Sequence, residues 1–292
     1  MRRMCGAAVK MAPSGLIGYF GTERADPCHT EMNAPCLVIL AAGGSTRFGR
    51  PKQLEPVGRN GEAIMDITMR QGFEAGCMEA WLVVRPEHEE DVKARYRRDH
   101  RVRIAVQHAP LGTGHAAMVG MKHFRGTCIV ANGDDLYGRR SMELAVKHAM
   151  EGLSEEHALV AFDLERTLSP HGPVNRAVCL KSDHHLRGIT EVRGLRAWPA
   201  GEIVDETGLS WPAGTPVSMN LWVMRESFCA VLLDMDRDEP VAPGQERGLP
   251  DAVRKALSLG QAFRILRTPD RWCGLTFPGD ADLVRRHLAE HP

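Results

Sequence analysis

The sequence of 292 residues has no long apolar run and no pair of cysteines in a C-x-x-C motif. Because a helix needs roughly 18 consecutive apolar residues to span a bilayer, we expect no membrane-spanning segment and no membrane partner. The eight cysteines are widely separated, which argues against both a zinc site and a dense disulfide framework. We expect them to be buried apolar residues of a cytoplasmic protein, where thiols stay reduced.

The chain also has no excess of charge, since 37 Lys and Arg residues balance 37 Asp and Glu residues. This balance provides no long-range field for nucleic acid, so we expect no such partner, and any anionic substrate must be bound by local cations. Internal repeats, low-complexity tracts and convincing linkers are missing too. Residues 1–34 show no helical or strand periodicity, so we expect a poorly ordered extension followed by a single domain over residues 35–292.

What the first half does have is an alternation of apolar strands and helices. The strands are predicted at 36–42, 79–84, 102–106 and 127–131, and the helices at 61–72, 87–98 and 114–124. Strands separated by helices favour parallel pairing, so the pattern predicts an α/β protein, a three-layer α/β/α sandwich with a mostly parallel, Rossmann-like central sheet. Ligands of such sheets bind at the carboxyl ends of the strands.

The second half is richer in strands, which we predict at 157–162, 174–180, 186–192 and 217–224, with helices at 250–257 and 280–291. We interpret this β-rich half as the part that binds an acceptor substrate. Its length of about 130 residues favours an acceptor of the size of a sugar.

A glycine-rich loop follows the first strand and has the sequence AAGGSTRFGRPK over residues 41–52. It is not a Walker loop, because Arg-Pro stands where Lys-Ser/Thr is required, and the G-x-G-x-x-G dinucleotide motif is absent. The pattern indicates a third kind of phosphate loop. The backbone N–H groups of Gly43, Gly44 and Ser45 would wrap a polyphosphate, and Arg47 and Lys52 would neutralise it.

This loop resembles the signature L-A-A-G-x-G-T-R, followed by P-K, of the nucleotidyltransferases that make nucleotide sugars. Four later stretches resemble segments of the same superfamily in the same order: PLGTGHA at 110–116, NGDD at 132–135, SMNLW at 218–222 and GLTFPGD at 274–280. The resemblance covers about residues 36–290 and implies a GT-A-like fold. Ser45, Leu136 and Gly279 depart from the family pattern, but none of these changes removes a charged group with an evident catalytic role.

The resemblance implies a reaction in which a phosphate of the acceptor attacks the α-phosphorus of a nucleoside triphosphate and pyrophosphate leaves. Arg47 would hold the β- and γ-phosphates, and Lys52 would lie nearer the α-phosphate. Mg²⁺ would be the cofactor, with Asp134 as its first ligand and Asp280 as its second, because this ion prefers a few hard carboxylate oxygens. Glu191 and Asn220 would bind the acceptor. The implied nucleotide-binding residues are Ala41, Ala42, Gly43, Gly44, Ser45, Gln107, Gly112 and Thr113.

Several of these residues have simpler explanations that the sequence leaves open. Asp134 is also a good turn former, and Asp280 a good N-cap for the last helix. Glu191 fits a solvated strand position equally well. We interpret Asp135 as a capping or solvated residue and His115 as a structural histidine.

Three functions remain open from the sequence. The first is nucleotidyl transfer to a sugar 1-phosphate, and the second is cytidylyl or guanylyl transfer to a phospho-alcohol or a pterin cofactor. The third is a catalytically silent homologue that binds nucleotide sugar and regulates a partner. Such homologues typically lose the loop cations or the metal aspartate, whereas this chain keeps Arg47, Lys52 and Asp134.

Overall fold

The computed structural model describes residues 34–44, 52–151, 155–198, 201–242, 244–275 and 279–290. The expected N-terminal extension, apart from residue 34, therefore lies outside the described residues. Within these ranges, no helix has both the length and the apolar character needed to cross a membrane.

The first half of the chain contains five strands and four helices. In chain order they are β1 (Cys36–Leu40), α1 (Ile64–Ala75), β2 (Glu79–Val84), α2 (Glu89–Tyr96), β3 (Val102–Val106), α3 (Thr113–Met121), β4 (Cys128–Asn132), β5 (Asp135–Leu136) and α4 (Arg139–Met150). Short 3-10 helices lie at Lys52–Leu54 and Pro86–His88. The predicted strands and helices of this half are all present, with ends shifted by a few residues, whereas α4 was not predicted.

The described second half contains eight strands and three helices. In chain order they are β6 (His157–Asp163), β7 (Val174–Ser182), β8 (His185–Ala197), β9 (Ile203–Val204), β10 (Ser210–Trp211), β11 (Pro216–Met224), α5 (Glu226–Asp238), α6 (Leu249–Ser258), β12 (Phe263–Arg267), β13 (Cys273–Gly274) and α7 (Asp280–Glu290). A 3-10 helix lies at Leu164–Thr167. The four long strands were predicted, and α5 and β12 were not.

Eleven strands form one sheet, in the order β10-β9-β8-β12-β6-β11-β4-β1-β2-β3, with β7 paired to β8 and β11. Parallel pairs join β4, β1, β2 and β3, and also β12 and β6. Every pair made by β7, β8 or β11 is antiparallel. The second half is therefore built largely from antiparallel strands.

The prediction of a mostly parallel sheet is therefore wrong, although the α/β class with a large sheet is confirmed. The reason is local: β7 and β8 are joined by only two residues, Asp183 and His184, and so short a connection can join only antiparallel strands. The three-layer arrangement stays a prediction.

Strand β1 lies in the middle of the parallel part and is fully buried. Alternate side chains point to opposite faces of a strand, and two hydrophobic clusters divide them accordingly. Leu37 and Ile39 belong to one cluster, whereas Cys36, Val38 and Leu40 belong to the other. Apolar residues therefore cover both faces of β1. The glycine-rich loop begins directly after this buried strand.

Candidate active site

The candidate active site lies where β1, β2, β3 and β4 end. Because these four strands are parallel, the segments that follow them meet at one edge of the sheet. Those segments begin at Ala41, Arg85, Gln107 and Gly133, so three of the predicted motifs lie at the same edge.

The start of the glycine-rich loop is held by hydrogen bonds from its neighbours. Ala41 and Ala42 are buried, and the N–H of Ala41 donates to Val83 O at 2.8 Å. The guanidinium Nε of Arg85 donates to Ala42 O at 3.1 Å. These contacts continue the sheet and fix the direction in which the loop leaves it.

The next part of the loop is exposed, as a substrate-binding backbone must be. Gly43 and Gly44 face solvent, and the side-chain Nε2 of Gln53 donates to Gly43 O at 2.9 Å. Of the other predicted phosphate-binding residues, Ser45 and Arg47 lie outside the described residues. Lys52 begins a 3-10 helix, and its side chain is outside the described part of the chain too.

Gly133 brings the predicted metal ligand to this loop. Its N–H donates to Leu40 O at 2.9 Å, and a Cβ built on it would lie 3.1 Å from the Cβ of Ala41. This close approach leaves little room for a side chain, so glycine is the residue that lets the two segments touch. Asp134, the next residue, therefore lies beside the glycine-rich loop.

Asp135 is buried and hydrogen-bonded, so its interpretation as a capping or solvated residue is wrong. Its carboxylate accepts a hydrogen bond from the side-chain Nδ2 of Asn132 at 2.8 Å. The buried hydroxyl of Tyr137 accepts from the N–H of Asn132 at 2.8 Å and donates to Met219 O at 3.0 Å. Tyr137 therefore ties the end of β4 to β11, and burial raises the pKa of its hydroxyl.

The predicted nucleobase segment forms a turn whose inner side is occupied by Gln107. The side chain of Gln107 is buried, and its Nε2 donates to Gly112 O at 3.2 Å and lies 2.9 Å from His115 Nδ1. Burial lowers the pKa of His115, which favours the neutral ring that accepts this hydrogen bond. These contacts support the structural interpretation of His115. Thr113 is the first residue of α3.

Asp280 lies at the start of α7, and its buried side chain is close to that of His171. Its Oδ1 is 4.0 Å from His171 Nε2, and a Cβ built on Gly279 would be 3.3 Å from the same ring. The segment before α7 reaches Asp134 directly, because Leu275 N–H donates to Asp134 O at 3.1 Å. Strand β13 also pairs with β5, which places Gly274 opposite Asp135.

The residues around Asp134 and Asp280 fit Mg²⁺ by the chemistry of their donors. Both offer hard carboxylate oxygens, and their segments are joined by the hydrogen bond from Leu275. No group of three or more His, Cys, Asp or Glu residues that could hold a metal occurs among the described residues. Mg²⁺ usually takes only one or two carboxylates from the protein and completes its shell with water and phosphate oxygens. A two-carboxylate site is therefore sufficient.

Asn220 occupies a strained position on β11. Its φ is +61°, a left-handed conformation that residues with a side chain adopt rarely, although asparagine does so more readily than most, and the pairing of β11 with β6 shifts register between Ser218 and Trp222. The side-chain Oδ1 accepts from the indole N–H of Trp222 at 3.3 Å. Strain of this kind is concentrated at functional sites, which supports the prediction that Asn220 faces a substrate.

Glu191 is exposed on β8, where its Oε1 lies 3.2 Å from Arg193 Nε. It pairs with Ala177 of β7, and Ala177 also pairs with Ser218 of β11. Glu191 and the bulge at Asn220 are thus separated by one strand, or about 10 Å at the usual spacing of strands. That distance is suited to an acceptor that touches both, but no described contact joins the two residues directly.

Residues 37–202 match the family of MobA-like NTP transferase domains. The chain belongs to this family. The resemblance to nucleotidyltransferases that appeared in the sequence motifs is therefore confirmed, and the match includes the glycine-rich loop, Asp134 and Glu191.

Two curated relatives of this nucleotidyltransferase domain are each named bifunctional protein GlmU. The protein of Methanococcus vannielii is 30% identical over 123 residues, which is 40% of this chain and 29% of the relative. The protein of Pelobacter propionicus is 32% identical over 148 residues, which is 48% of this chain and 30% of the relative. The chain thus matches less than a third of the length of either relative.

Two solved structures share the fold along most of this nucleotidyltransferase domain. The inositol-1-phosphate CTP transferase of T. maritima has a TM-score of 0.64 at 13% identity, and the match covers 89% of this chain and 98% of that one. A protein of Bacillus anthracis named as a glucose-1-phosphate thymidylyltransferase, in complex with a sucrose, has a TM-score of 0.67 at 14% identity and coverages of 89% and 97%. At such low identity these likenesses show the fold alone.

Arg176 is a residue of this nucleotidyltransferase domain that the motifs did not reveal. It lies on β7 and is buried, with its guanidinium 4.8 Å from the ring centroid of Trp272. The guanidinium donates to Asn175 O at 2.8 Å and to Thr167 O. The Nε of Arg176 and the indole N–H of Trp272 are buried without a hydrogen-bond partner among the described residues.

The charge of Arg176 is balanced by the two acidic segments of the site. Burial lowers its pKa to about 10, and the carboxylates of Asp135 and Asp280 oppose that shift. One buried guanidinium therefore interacts with both the segment after β4 and the start of α7. The only signal in the sequence was an arginine at an inward-facing position of a strand, between Val174 and Val178, which is unusual because arginine is rarely buried without a partner.

Proposed function

We propose that this nucleotidyltransferase domain transfers a nucleotidyl group from a nucleoside triphosphate to a sugar 1-phosphate, in a Mg²⁺-dependent reaction that releases pyrophosphate. The observation that carries the proposal is the approach of Gly133 to Ala41, which places Asp134 beside the glycine-rich loop. The name of the Bacillus anthracis neighbour, a glucose-1-phosphate thymidylyltransferase, supports a sugar phosphate as the acceptor.

The reaction requires two anions to meet, so positioning and positive charge matter more than a protein nucleophile. An oxygen of the acceptor phosphate forms a bond to the α-phosphorus, and the bond from that phosphorus to the bridging oxygen breaks, so that the electron pair leaves with pyrophosphate. Arg47 would bind the β- and γ-phosphates, and Lys52 the α-phosphate and the attacking oxygen. Asp134 and Asp280 would hold Mg²⁺, which supplies positive charge to the phosphates when bound.

The acceptor would lie over the second half of a single domain, residues 35–292. Glu191 accepts hydrogen bonds and is exposed, so it can bind sugar hydroxyl groups. Asn220 offers both a donor and an acceptor from the strained bulge. The nucleotide would contact Ala41 to Ser45, and its base would contact Gln107, Gly112 and Thr113.

A second acceptor class has support from one observation. The chain matches 98% of the length of a protein named inositol-1-phosphate CTP transferase, so its fold accommodates a phospho-alcohol in that neighbour as well as a sugar phosphate in others. Cytidylyl transfer to a phospho-alcohol is therefore the second candidate, and the chemistry at the glycine-rich loop would be the same.

Pyrophosphate release tests the proposal directly. Each of the four nucleoside triphosphates is incubated with each member of a panel of sugar 1-phosphates, phospho-alcohols and phosphorylated pterins, with Mg²⁺ and with EDTA. We expect release with at least one sugar 1-phosphate and none with EDTA. Release only with phospho-alcohols would select the second candidate. No release in any combination would contradict transfer and support a silent homologue.

A further inference from the structure

Helix α6 begins beside the predicted nucleobase segment, and its first turn lacks a side-chain cap of the usual kind. The residue at its N-cap is Gly248, which has no side chain, and the first helical residue is Leu249. The N–H of Leu249 donates instead to the hydroxyl of Thr113 at 2.8 Å. A residue 136 positions earlier in the chain therefore supplies the acceptor that a helix N-terminus needs.

The backbone of Arg247 also pairs with this segment. Arg247 N–H donates to Leu111 O at 2.8 Å, and Gly114 N–H donates to Arg247 O at 2.9 Å. Together with the bond between Thr113 and Leu249, three hydrogen bonds join residues 247–249 to residues 111–114. We call residues 247–249 the base clasp and residues 111–114 the base loop.

The glycines of the base loop are required by this contact. Gly112 has a φ of +91°, and a Cβ built on it would lie 2.4 Å from Arg247 O. A Cβ on Gly114 would lie 3.1 Å from the same oxygen. Each position of the G-T-G sequence therefore has a role. Gly112 and Gly114 leave room for the backbone of the base clasp, and the hydroxyl of Thr113 caps helix α6.

The hydrogen bonds of the base loop also determine what remains for a ligand. The hydroxyl of Thr113 is occupied by Leu249, and Gly112 O accepts from Gln107. In the described part of the chain, the N–H groups of Gly112 and Thr113 donate to no acceptor. The clasp bonds hold the backbone of residues 111 and 114 on either side of these two donors, so they also limit the positions that the donors can take.

We propose that the base clasp holds the base loop in the shape that recognises the nucleobase, and that Thr113 is a positioning residue that links the two. The proposal rests on the proposed function, because it presumes that the base loop binds the base of a nucleoside triphosphate. The clasp lies outside residues 37–202, the part of the chain that matches the family. Base selectivity in this protein is therefore set partly by the segment between α5 and α6.

The experiment measures binding rather than turnover. Calorimetry gives the dissociation constant of each of the four nucleoside triphosphates and of inorganic tripolyphosphate, which carries the same phosphates without a base. The wild type is compared with Thr113→Val, which keeps the shape of the side chain and removes the hydroxyl, and with Thr113→Ser, which keeps the hydroxyl. Thr113→Ala removes the hydroxyl as well and serves if the valine variant does not fold.

A second cap of the same helix provides a matched control. The carboxylate of Asp251 accepts from Gly248 N–H at 2.8 Å but does not bond to the base loop. Asp251→Ala therefore weakens the start of α6 from its other side. If Thr113 only capped the helix, both variants would lower the thermal midpoint and neither would change base selectivity.

We expect Thr113→Val to bind the preferred nucleoside triphosphate about tenfold more weakly, in line with the loss of one partly buried hydrogen bond. The preference over the other three should shrink, tripolyphosphate should bind as to the wild type, and Thr113→Ser should restore most of the affinity. Unchanged selectivity in Thr113→Val, or an equal loss for tripolyphosphate, would overturn the proposal. The proposal would also be overturned if the wild type bound tripolyphosphate but showed no preference among the four nucleoside triphosphates. The proposed transfer reaction is tested separately, by pyrophosphate release.

Discussion

The two halves of the molecule hold their candidate site residues in different ways. In the first half the groups follow parallel strands, and backbone hydrogen bonds join the ends of neighbouring strands, as the bond from Gly133 N–H to Leu40 O does. In the second half Glu191 and Asn220 lie on antiparallel strands, and side chains cross between segments around them, as Arg176 does to Trp272 and Tyr137 of the first half does to Met219 O.

Under the proposed function, the two halves would take different tasks. Every nucleoside triphosphate carries the same triphosphate, which would meet the exposed backbone of Gly43 and Gly44 at the end of β1. Acceptors differ from one another, and they would meet side chains on the antiparallel strands β8 and β11.

The largest effect is expected in the first half. Lys52→Ala and Asp134→Ala should each lower turnover about 100-fold or more, because Lys52 would supply positive charge to the phosphates and Asp134 would hold the Mg²⁺ that does the same. The thermal midpoint should stay close to that of the wild type. Lys147→Ala in the last turn of α4 and Asp234→Ala on α5 are matched controls with exposed side chains, and should leave turnover unchanged. Near wild-type pyrophosphate release by Lys52→Ala or Asp134→Ala would show that the role assigned to that residue is wrong.

The sequence predicted the first half well because its signals are local. The glycine-rich loop, the G-T-G turn and the Gly-Asp pair each lie within a few residues, and the structure places them at one edge of the sheet. Side chains of Arg47 and Lys52 lie outside the described residues, so their roles stay predictions.

The second half was predicted less completely, because its important contacts join residues that are far apart in the chain. Arg176 interacts with Asp135 and Asp280, which lie 41 and 104 positions away, and no periodicity reports such a pair. The prediction of a mostly parallel sheet was wrong because it applied the strand–helix alternation of the first half to the whole chain. In the second half, the two-residue turn between β7 and β8 makes these strands antiparallel. The strain at Asn220 is a property of the bulge and has no signature in the local sequence.

A smaller effect, on stability rather than rate, is expected from Arg176. Arg176→Met should lower the free energy of unfolding by about 3 kcal/mol, because it removes a buried positive charge that attracts the carboxylates of Asp135 and Asp280, together with the hydrogen bonds to Asn175 O and Thr167 O. Urea unfolding measures this free energy.

Arg196→Met is a matched control, since Arg196 also lies over a tryptophan, at 5.4 Å from the ring centroid of Trp198, but is exposed. It should change stability by less than about 0.5 kcal/mol. Equal effects in the two variants would mean that stacking, and not the buried charge, is what matters.

The smallest effect is a dependence on pH that comes from the start of β6. Burial lowers the pKa of His157 to about 4, and the neutral ring fits its surroundings: Nδ1 accepts from Arg225 N–H at 3.0 Å and Nε2 lies 2.9 Å from Gln261 Oε1. The unfolded chain, with a histidine pKa of about 6.5, binds this proton more readily than the folded protein does. Stability should therefore fall as the pH drops through 6.5 and level off below about 4.

Between pH 7 and pH 5 the contribution of His157 amounts to about 2 kcal/mol of unfolding free energy. His115, His123 and His148 of the first half shift in the same direction, but all three are more exposed than His157, so we expect His157 to make the largest single contribution among the four. Urea unfolding of His157→Gln at several pH values should show a flatter profile than the wild type, and His184→Gln, in the exposed turn between β7 and β8, should show the wild-type profile. If His157→Gln keeps the full slope, another titratable group causes the acid sensitivity, and the role assigned to His157 is wrong.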